Sequence, residues 1–261
     1  MRTAIRLLRV ALHLAYGCLL TASVLRCMGP RRRAAVRQHW AQQLLRLLGV
    51  RVDLNGSPRC GTLWVANHIS WLDVFVLQAL QPTVFVCKDE VRDWTLFGWL
   101  LARNDVLFLR RNNAAAAAAL VADVARLLEE AHTVVVFPEG SSSDGCGVLP
   151  FHAAPFEAAV RSGCSVQPIA LAYADSAGER TSRPAYHGDI ALWRSVVAVA
   201  AFSELVAQVD FLAQLDGAAR RGLARAAEQA ISARLAMVAR RDEDLAHGCA
   251  GVGSLIAATG A

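Results

Sequence analysis

The chain has 261 residues, of which 55% are hydrophobic, and it carries a formal net charge of +5. A chain of this length suits one sizeable domain, with room for a small appendage. A basic and apolar protein suits an anionic membrane surface. The sequence contains no zinc-finger spacing, RNA-binding signature or interleaving of aromatic with basic residues, so we expect no nucleic-acid partner.

The seven cysteines are odd in number, and no two of them form a C-x-x-C pair. Most of them lie in apolar segments, which favours reduced thiols in a cytoplasmic compartment over a disulfide framework. The lack of C-x-x-C pairs also argues against a structural zinc site.

Residues 1–48 are predicted to form membrane-associating helices. The apolar run Val10–Leu25 is flanked by arginines and is shorter than the ~20 residues that span the hydrocarbon core. It predicts a helix that dips into one leaflet or a marginal spanning helix, and the lack of a small-x-small cleavage site disfavours a signal peptide. The segment Ala34–Leu48 has apolar residues at helical spacing. It predicts an amphipathic helix that either lies at the membrane interface or packs on the core.

Short apolar runs alternate with helical patterns over residues 49–241, the predicted main domain. The strands are expected at 50–54, 62–66, 83–87, 106–109, 133–137, 165–172, 186–190 and 204–211. The helices are expected at 70–80, 94–102, 114–131, 153–161, 191–201 and from a cap at Asp216 to about Arg240. This alternation indicates an α/β fold with a mixed, largely parallel sheet flanked by helices. Residues 242–261 lack helical periodicity and are predicted to form a loose C-terminal tail.

His68 follows the predicted strand 62–66, and Asp73 lies five residues further on. A neutral histidine can accept a proton near pH 7, and a carboxylate can orient its ring and stabilise the charged form. A five-residue step on a helix turns two side chains about 140° apart, so they meet only if His68 stands outside the helix. Ser70 favours this arrangement because Ser-x-x-Asp is typical of a helix start. The alternative is that Asp73 serves only as part of that cap.

Three further polar residues follow predicted strands. They are Lys88, Arg111 and Glu139. The carboxyl ends of parallel strands lie at one edge of a sheet, where the active sites of such folds gather. We therefore expect these side chains to lie near His68.

Four blocks in this order resemble the lysophosphatidic acid acyltransferase family of glycerolipid acyltransferases. They are Asn67-His68-x4-Asp73, Leu107-Phe108-Leu109-Arg110-Arg111, Phe137-Pro138-Glu139-Gly140-Ser141 and Val166-Gln167-Pro168-Ile169. The resemblance implies acyl transfer from acyl-CoA or acyl-carrier protein to the hydroxyl of a lysolipid, with 1-acyl-sn-glycerol-3-phosphate as the leading acceptor. It implies no metal and no bound organic cofactor.

The resemblance also implies roles for individual residues. His68 would be the general base, and Asp73 would orient it and stabilise its charge. The acceptor head group would lie against Arg111, Glu139, Gly140 and Ser141, with Lys88 as a further candidate for contact with an anion. The structural alternatives are a solvated strand end for Lys88, a strand cap or an ion pair with Asp105 for Arg111, and an exposed turn carboxylate for Glu139.

The chain departs from the family pattern at two places, and one of them is Asp105, where the family often has glycine. The family has Thr and then Arg after Phe-Pro-Glu-Gly, whereas this chain has Ser141 and Ser142. The missing arginine removes a charge that would bind phosphate strongly. A lyso-ornithine lipid O-acyltransferase is therefore an alternative, and a non-catalytic membrane-binding homologue is an alternative from another class. We expect the protein at the cytoplasmic face of a bacterial inner membrane.

Overall fold

The computed structural model describes residues 1–23, 27–89, 99–100, 103–104, 106–109, 113–188 and 190–257, with side chains as far as Arg240. The helices with defined bounds are α1 (Arg2–Ala22), α2 (Pro30–Leu48), α3 (Leu72–Leu80), α4 (Ala114–Glu129), α5 (Glu157–Ser162), α6 (Leu192–Ala201) and α7 (Arg220–Ala257). The strands are β1 (Val50–Asn55), β2 (Leu63–Ala66), β3 (Val84–Lys88), β4 (Val106–Leu109), β5 (Val134–Val136), β6 (Val166–Asp175) and β7 (Leu205–Phe211).

The strands form one seven-stranded sheet in the order β1-β7-β6-β2-β5-β3-β4. The strands from β6 to β4 in this order run parallel to one another. β7 is antiparallel to β6 and parallel to β1. The predicted mixed, largely parallel sheet is confirmed. The carboxyl ends of β2, β3 and β5 consequently lie at one edge of the sheet, which we call the site edge.

Helices cover both faces of the sheet. Trp64 of β2 belongs to a core cluster shared with α2, α3 and α6, whereas Leu63 and Val65 belong to a cluster shared with α4, α5 and α7. All four residues of β2 are buried. A strand buried on both faces has no polar alternation, which explains the continuous apolar run in its sequence.

Helix α2 packs on the core. The side chains that it buries are Ala41, Leu44, Leu45 and Leu48. The amides of Gln38 and Gln42 donate to the carbonyl oxygen of Ala79 in α3, at 3.2 and 2.9 Å. The apolar face of α2 therefore packs on the core, which was one of the two alternatives for this amphipathic helix.

One strand prediction was wrong, and the bounds of another differ from the prediction. Residues 186–188 and 190 form no strand, because the backbone N–H of Tyr186 donates to the carbonyl oxygen of Ile69 in a loop at 2.9 Å. β6 runs through Pro168 without interruption and extends to Asp175, beyond the predicted end at 172. The carbonyl oxygen of Pro168 accepts a hydrogen bond from the N–H of Leu212 at 2.9 Å, so the proline is held within the sheet.

The last helix also differs from its prediction. It begins at Arg220, and Asp216 does not cap it, since the Asp216 carboxylate accepts a hydrogen bond from Ser165 at 2.6 Å. The helix continues to Ala257, into the segment predicted to be a loose tail. The prediction rested on apolar periodicity, whereas a helix is defined by its backbone hydrogen bonds. The predicted helix at 94–102 lies mostly outside the described residues.

Candidate active site

The side chain of Asn67 continues the hydrogen bonding of the sheet where β2 ends. Its Nδ2 donates to the carbonyl oxygen of Leu171 in β6 at 2.9 Å, and its Oδ1 accepts from the N–H of Leu171 at 2.7 Å. The register pairs Ala66 with Ile169, and β6 continues beyond that point. The Asn67 amide thus satisfies the backbone of β6 where β2 has ended. The chain is therefore free to turn at His68.

His68 and Asp73 meet at the site edge. His68 Nδ1 lies 2.8 Å from Asp73 Oδ2. The His68 side chain is 23% exposed, whereas that of Asp73 is fully buried. A carboxylate can only accept, so in the neutral ring Nδ1 carries the proton and Nε2 keeps a lone pair. The ring of Phe137 stacks on the imidazole at 4.1 Å between centroids, which holds it in this orientation.

Asp73 also stabilises the turn that precedes α3. Its Oδ2 accepts hydrogen bonds from the backbone N–H groups of Ile69 and Ser70, at 2.7 and 2.9 Å. The Ser70 hydroxyl donates to the carbonyl oxygen of Pro184 at 2.7 Å and accepts from the N–H of Leu72 at 3.3 Å. The turn before α3 and the His–Asp pair are therefore one arrangement, because the same carboxylate oxygen serves both.

Tyr173 also forms a hydrogen bond with Asp73, and this contact was not predicted from the sequence. Its hydroxyl donates to Asp73 Oδ1 at 2.6 Å, across 100 positions in the chain. Tyr173 is buried in β6. Burial first, and the adjacent charge of Asp73 second, raise the pKa of Tyr173 well above its usual value. The available signal was a phenol in a largely apolar strand, since buried tyrosines usually have a hydrogen-bond partner.

Glu139 follows β5 and is 5% exposed, so the exposed-turn alternative is wrong. Its Oε1 accepts from the backbone N–H of His68 at 2.7 Å, and its Oε2 accepts from that of Leu149 at 3.0 Å. Burial raises the pKa of Glu139, while these two hydrogen bonds act in the opposite direction. The carboxylate thus joins the turn at His68 to the loop after β5.

The loop after β5 lies against the turn at His68. Gly140 adopts a positive φ of 69°, which favours glycine. The backbone N–H of Ser143 donates to the carbonyl oxygen of His68 at 2.8 Å. Ser142, at the family's arginine position, donates its hydroxyl to the carbonyl oxygen of Tyr186. Ser141 is exposed.

The remaining predicted contacts lie further along the site edge. Lys88 is the last residue of β3 and is half-buried. β5 separates β3 from β2, so Lys88 shares the edge with His68 two strands away. Arg111 lies outside the described residues, and its head-group contact stays a prediction.

Comparisons with known proteins identify the family. A family model described as Acyltransferase matches residues 50–172. A lyso-ornithine lipid O-acyltransferase of Rhodobacter capsulatus is 35% identical over 203 residues, which cover 71% of this chain and 70% of that protein. The chain belongs to the acyltransferase family. A second relative of this name, from Brucella abortus, is 33% identical over 210 residues, 73% of this chain and 78% of that protein. The predicted family resemblance is confirmed.

Other acyltransferases match with shorter alignments or lower identity. A 1-acyl-sn-glycerol-3-phosphate acyltransferase of Neisseria gonorrhoeae is 35% identical over 158 residues, which cover 60% of this chain and 62% of that protein's length. The crystal structure of the 1-acyl-sn-glycerophosphate acyltransferase PlsC from Thermotoga maritima superposes with a TM-score of 0.65 at 18% identity. That superposition covers 91% of this chain and 98% of PlsC. The two proteins share the fold.

Proposed function

We propose that this acyltransferase moves a fatty acyl group from acyl-CoA or acyl-carrier protein to the free hydroxyl of a lysolipid. The observation that carries the proposal is the pairing of His68 with Asp73 at 2.8 Å. One ring nitrogen of His68 is hydrogen-bonded to a buried carboxylate. The His68 side chain is partly exposed, so its other ring nitrogen is available to a substrate. Relatives named for acyl transfer to lysolipids support the same chemistry.

In the proposed reaction, His68 Nε2 takes the proton of the acceptor hydroxyl as its oxygen attacks the thioester carbonyl carbon. Asp73 keeps the ring oriented through Nδ1 and stabilises the imidazolium that forms. The tetrahedral intermediate collapses with cleavage of the carbon–sulfur bond. The departing thiolate then takes the proton from the imidazolium. The products are the ester and a free thiol, so no metal or organic cofactor is needed.

We place the acceptor head group against the loop after β5. Gly140 and Ser141 lie at the start of that loop, and Ser143 bonds the His68 carbonyl. In this proposal Glu139 acts on the head group indirectly, because both of its oxygens already accept backbone N–H groups. Lys88 and Arg111 remain the proposed cationic contacts for an anionic head group.

The first acceptor to test is 1-acyl-sn-glycerol-3-phosphate, giving phosphatidic acid. Lyso-ornithine lipid is the second candidate, and two observations favour it. Ser142 stands where a phosphate-binding arginine is expected, and its hydroxyl is bound to Tyr186. The alignments with lyso-ornithine lipid acyltransferases from Rhodobacter capsulatus and Brucella abortus also cover more of this chain than the gonococcal alignment does.

We propose that α1 and α6 contact the membrane surface that supplies the lysolipid. Among the described helices, α1 has the length and hydropathy to cross a membrane. One stripe of α1 carries exposed apolar side chains, including Leu8 and Leu12 at 61% and 62%, and Trp193 of α6 is 64% exposed. Tryptophan favours the membrane–water interface. We propose the cytoplasmic face of a bacterial inner membrane for this surface, and the free cysteines of the described residues and the proposed thioester donor support that location.

The test supplies purified protein with acyl-CoA or acyl-carrier protein and with either acceptor. We expect His68→Ala to reduce turnover by at least ~10²-fold, while the control His132→Ala, an exposed histidine after α4, keeps wild-type turnover. An unchanged rate in His68→Ala would remove His68 from the mechanism. Release of free fatty acid without a lysolipid would indicate a hydrolase. Absence of turnover with both acceptors and both donors would favour a non-catalytic homologue.

A further inference from the structure

We propose that Tyr173 is a positioning residue that sets the proton affinity of His68 through the carboxylate of Asp73. The catalytic meaning of this inference rests on the proposed acyl transfer. The electrostatic effect of Tyr173 on Asp73 and His68 does not rest on that function, since it can be measured without substrate.

The two oxygens of Asp73 have different surroundings. Oδ2 accepts from His68 Nδ1 and from the N–H groups of Ile69 and Ser70. Among the described residues, the hydroxyl of Tyr173 is the donor to Oδ1, at 2.6 Å. The carboxylate is fully buried, so the phenol supplies a hydrogen bond that solvent would otherwise provide.

A hydrogen bond to Oδ1 draws negative charge towards that oxygen. It thereby lowers the negative charge on Oδ2, the oxygen that faces His68. Without it, Asp73 would act on the imidazole as a more concentrated charge in a low-dielectric site, and the protonated ring would be favoured. Tyr173 thus limits the negative charge that Asp73 presents to the imidazole. Because burial raises the pKa of Tyr173, the phenol remains protonated and keeps donating throughout the working pH range.

Within the described part of the chain, the charged and titratable groups around His68 come from three elements. Asp73 lies on α3, Tyr173 on β6, and Glu139, whose charge also interacts with His68 and Asp73, follows β5. Glu139 bonds the backbone N–H of His68, not its ring. Of these groups, Tyr173 is the one that can lose its hydrogen-bonding group without a change in charge.

The test is Tyr173→Phe, which keeps the ring and deletes the hydroxyl. An NMR titration of the histidine rings, with the His68 signal assigned from His68→Ala, reads the pKa of His68 without any acyl donor. We expect this pKa to rise by roughly 0.5–1 unit, and the acid limb of the kcat/KM profile to move to higher pH by the same amount. The matched control is Thr83→Val, which removes another buried hydroxyl, bonded to Gln78 at 3.1 Å, and should leave both values unchanged.

A purely structural role for Tyr173 predicts a lower melting temperature in both variants and no movement of the His68 pKa, and that result would overturn the proposal. Uniform replacement of the three tyrosines by 3-fluorotyrosine covers the case in which Tyr173→Phe does not fold. The more acidic phenol donates more strongly, so the His68 pKa should fall, and an unchanged or higher value would also overturn the proposal. If the titrations behave as expected but no acyl transfer is found, the failure lies with the proposed function.

Discussion

The side chain of Asn67 and the backbone of Leu171 form a two-hydrogen-bond pair that continues the sheet one step beyond β2. Both residues are buried, and solvent cannot replace either bond. Because a side chain and not the main chain completes the ladder, the backbone leaves the sheet at the residue before His68. The position of the histidine thus depends on an asparagine that touches no substrate in the proposed reaction.

We expect Asn67→Ala to reduce the free energy of unfolding by roughly 2–5 kcal/mol, since two buried backbone groups of Leu171 lose their partners. Urea unfolding monitored by circular dichroism measures this loss. The control Asn55→Ala removes a single bond to Asp210 at a partly buried position and should cost no more than about 1.5 kcal/mol. Equal losses in the two variants would contradict the role given to Asn67.

Glu139 should make stability depend on pH in an unusual direction for a carboxylate. Burial raises its pKa in the folded protein, so between its ordinary and its folded pKa it binds more protons when folded than when unfolded. Its contribution is then full below its ordinary pKa of about 4.3 and declines as pH rises through the folded pKa. The difference in unfolding free energy between wild type and Glu139→Gln should therefore fall as pH rises. A difference that grows with pH in urea titrations would show that the two amide hydrogen bonds outweigh burial.

The cysteines should separate into reactive and protected groups. Cys27, Cys60 and Cys146 are exposed free thiols, whereas burial raises the pKa of Cys87 to about 11. The thiolate is the reactive species, and its fraction at pH 8 is on the order of 10⁻³ for such a pKa. We expect iodoacetamide at pH 8 to alkylate the three exposed thiols and leave Cys87 unmodified, as read by peptide mass mapping. Urea should expose Cys87 to alkylation, and comparable native rates for Cys87 and Cys60 would refute the assignment.

The outward stripe of α1 should determine membrane binding. Leu8→Glu combined with Leu12→Glu replaces two exposed leucines whose insertion would contribute about 1.5–3 kcal/mol each. We expect partition into phosphatidylethanolamine–phosphatidylglycerol vesicles to weaken by at least ~10²-fold in a sedimentation assay. Leu54→Glu in β1, another exposed leucine at 43%, should change partition by less than about threefold. Unchanged partition in the double variant would exclude this stripe as the membrane contact.

Local sequence patterns indicated the His68–Asp73 pair beside the alternative of a helix cap alone. A strand end, a capping pattern and a five-residue step are all contained in one short segment, and the structure places the two side chains together. The largely parallel sheet was also predictable, because alternating strands and helices leave few other arrangements.

The supporting contacts were not predictable in this way. Tyr173 reaches Asp73 because β6 lies beside β2, and no local pattern states which strands become neighbours. The same limit applies to Glu139, whose bond to the His68 backbone spans 71 positions. Prediction from the motif block placed Glu139 on the head group, whereas its carboxylate oxygens are bound to backbone amides.

Arg6 of α1 reaches the end of α6, where its guanidinium donates to the carbonyl oxygens of Ala200, Phe202 and Ser203. The last carbonyls of a helix lack intrahelical donors, so this arginine completes α6. The same helix contributes Ser195, whose hydroxyl donates to the carbonyl oxygen of Pro184 that also accepts from Ser70. A shortened protein without α1, prepared for easier purification, would therefore lose support for the turn beside His68. We therefore expect such a protein to lose activity through this turn, whether or not α1 contacts a membrane.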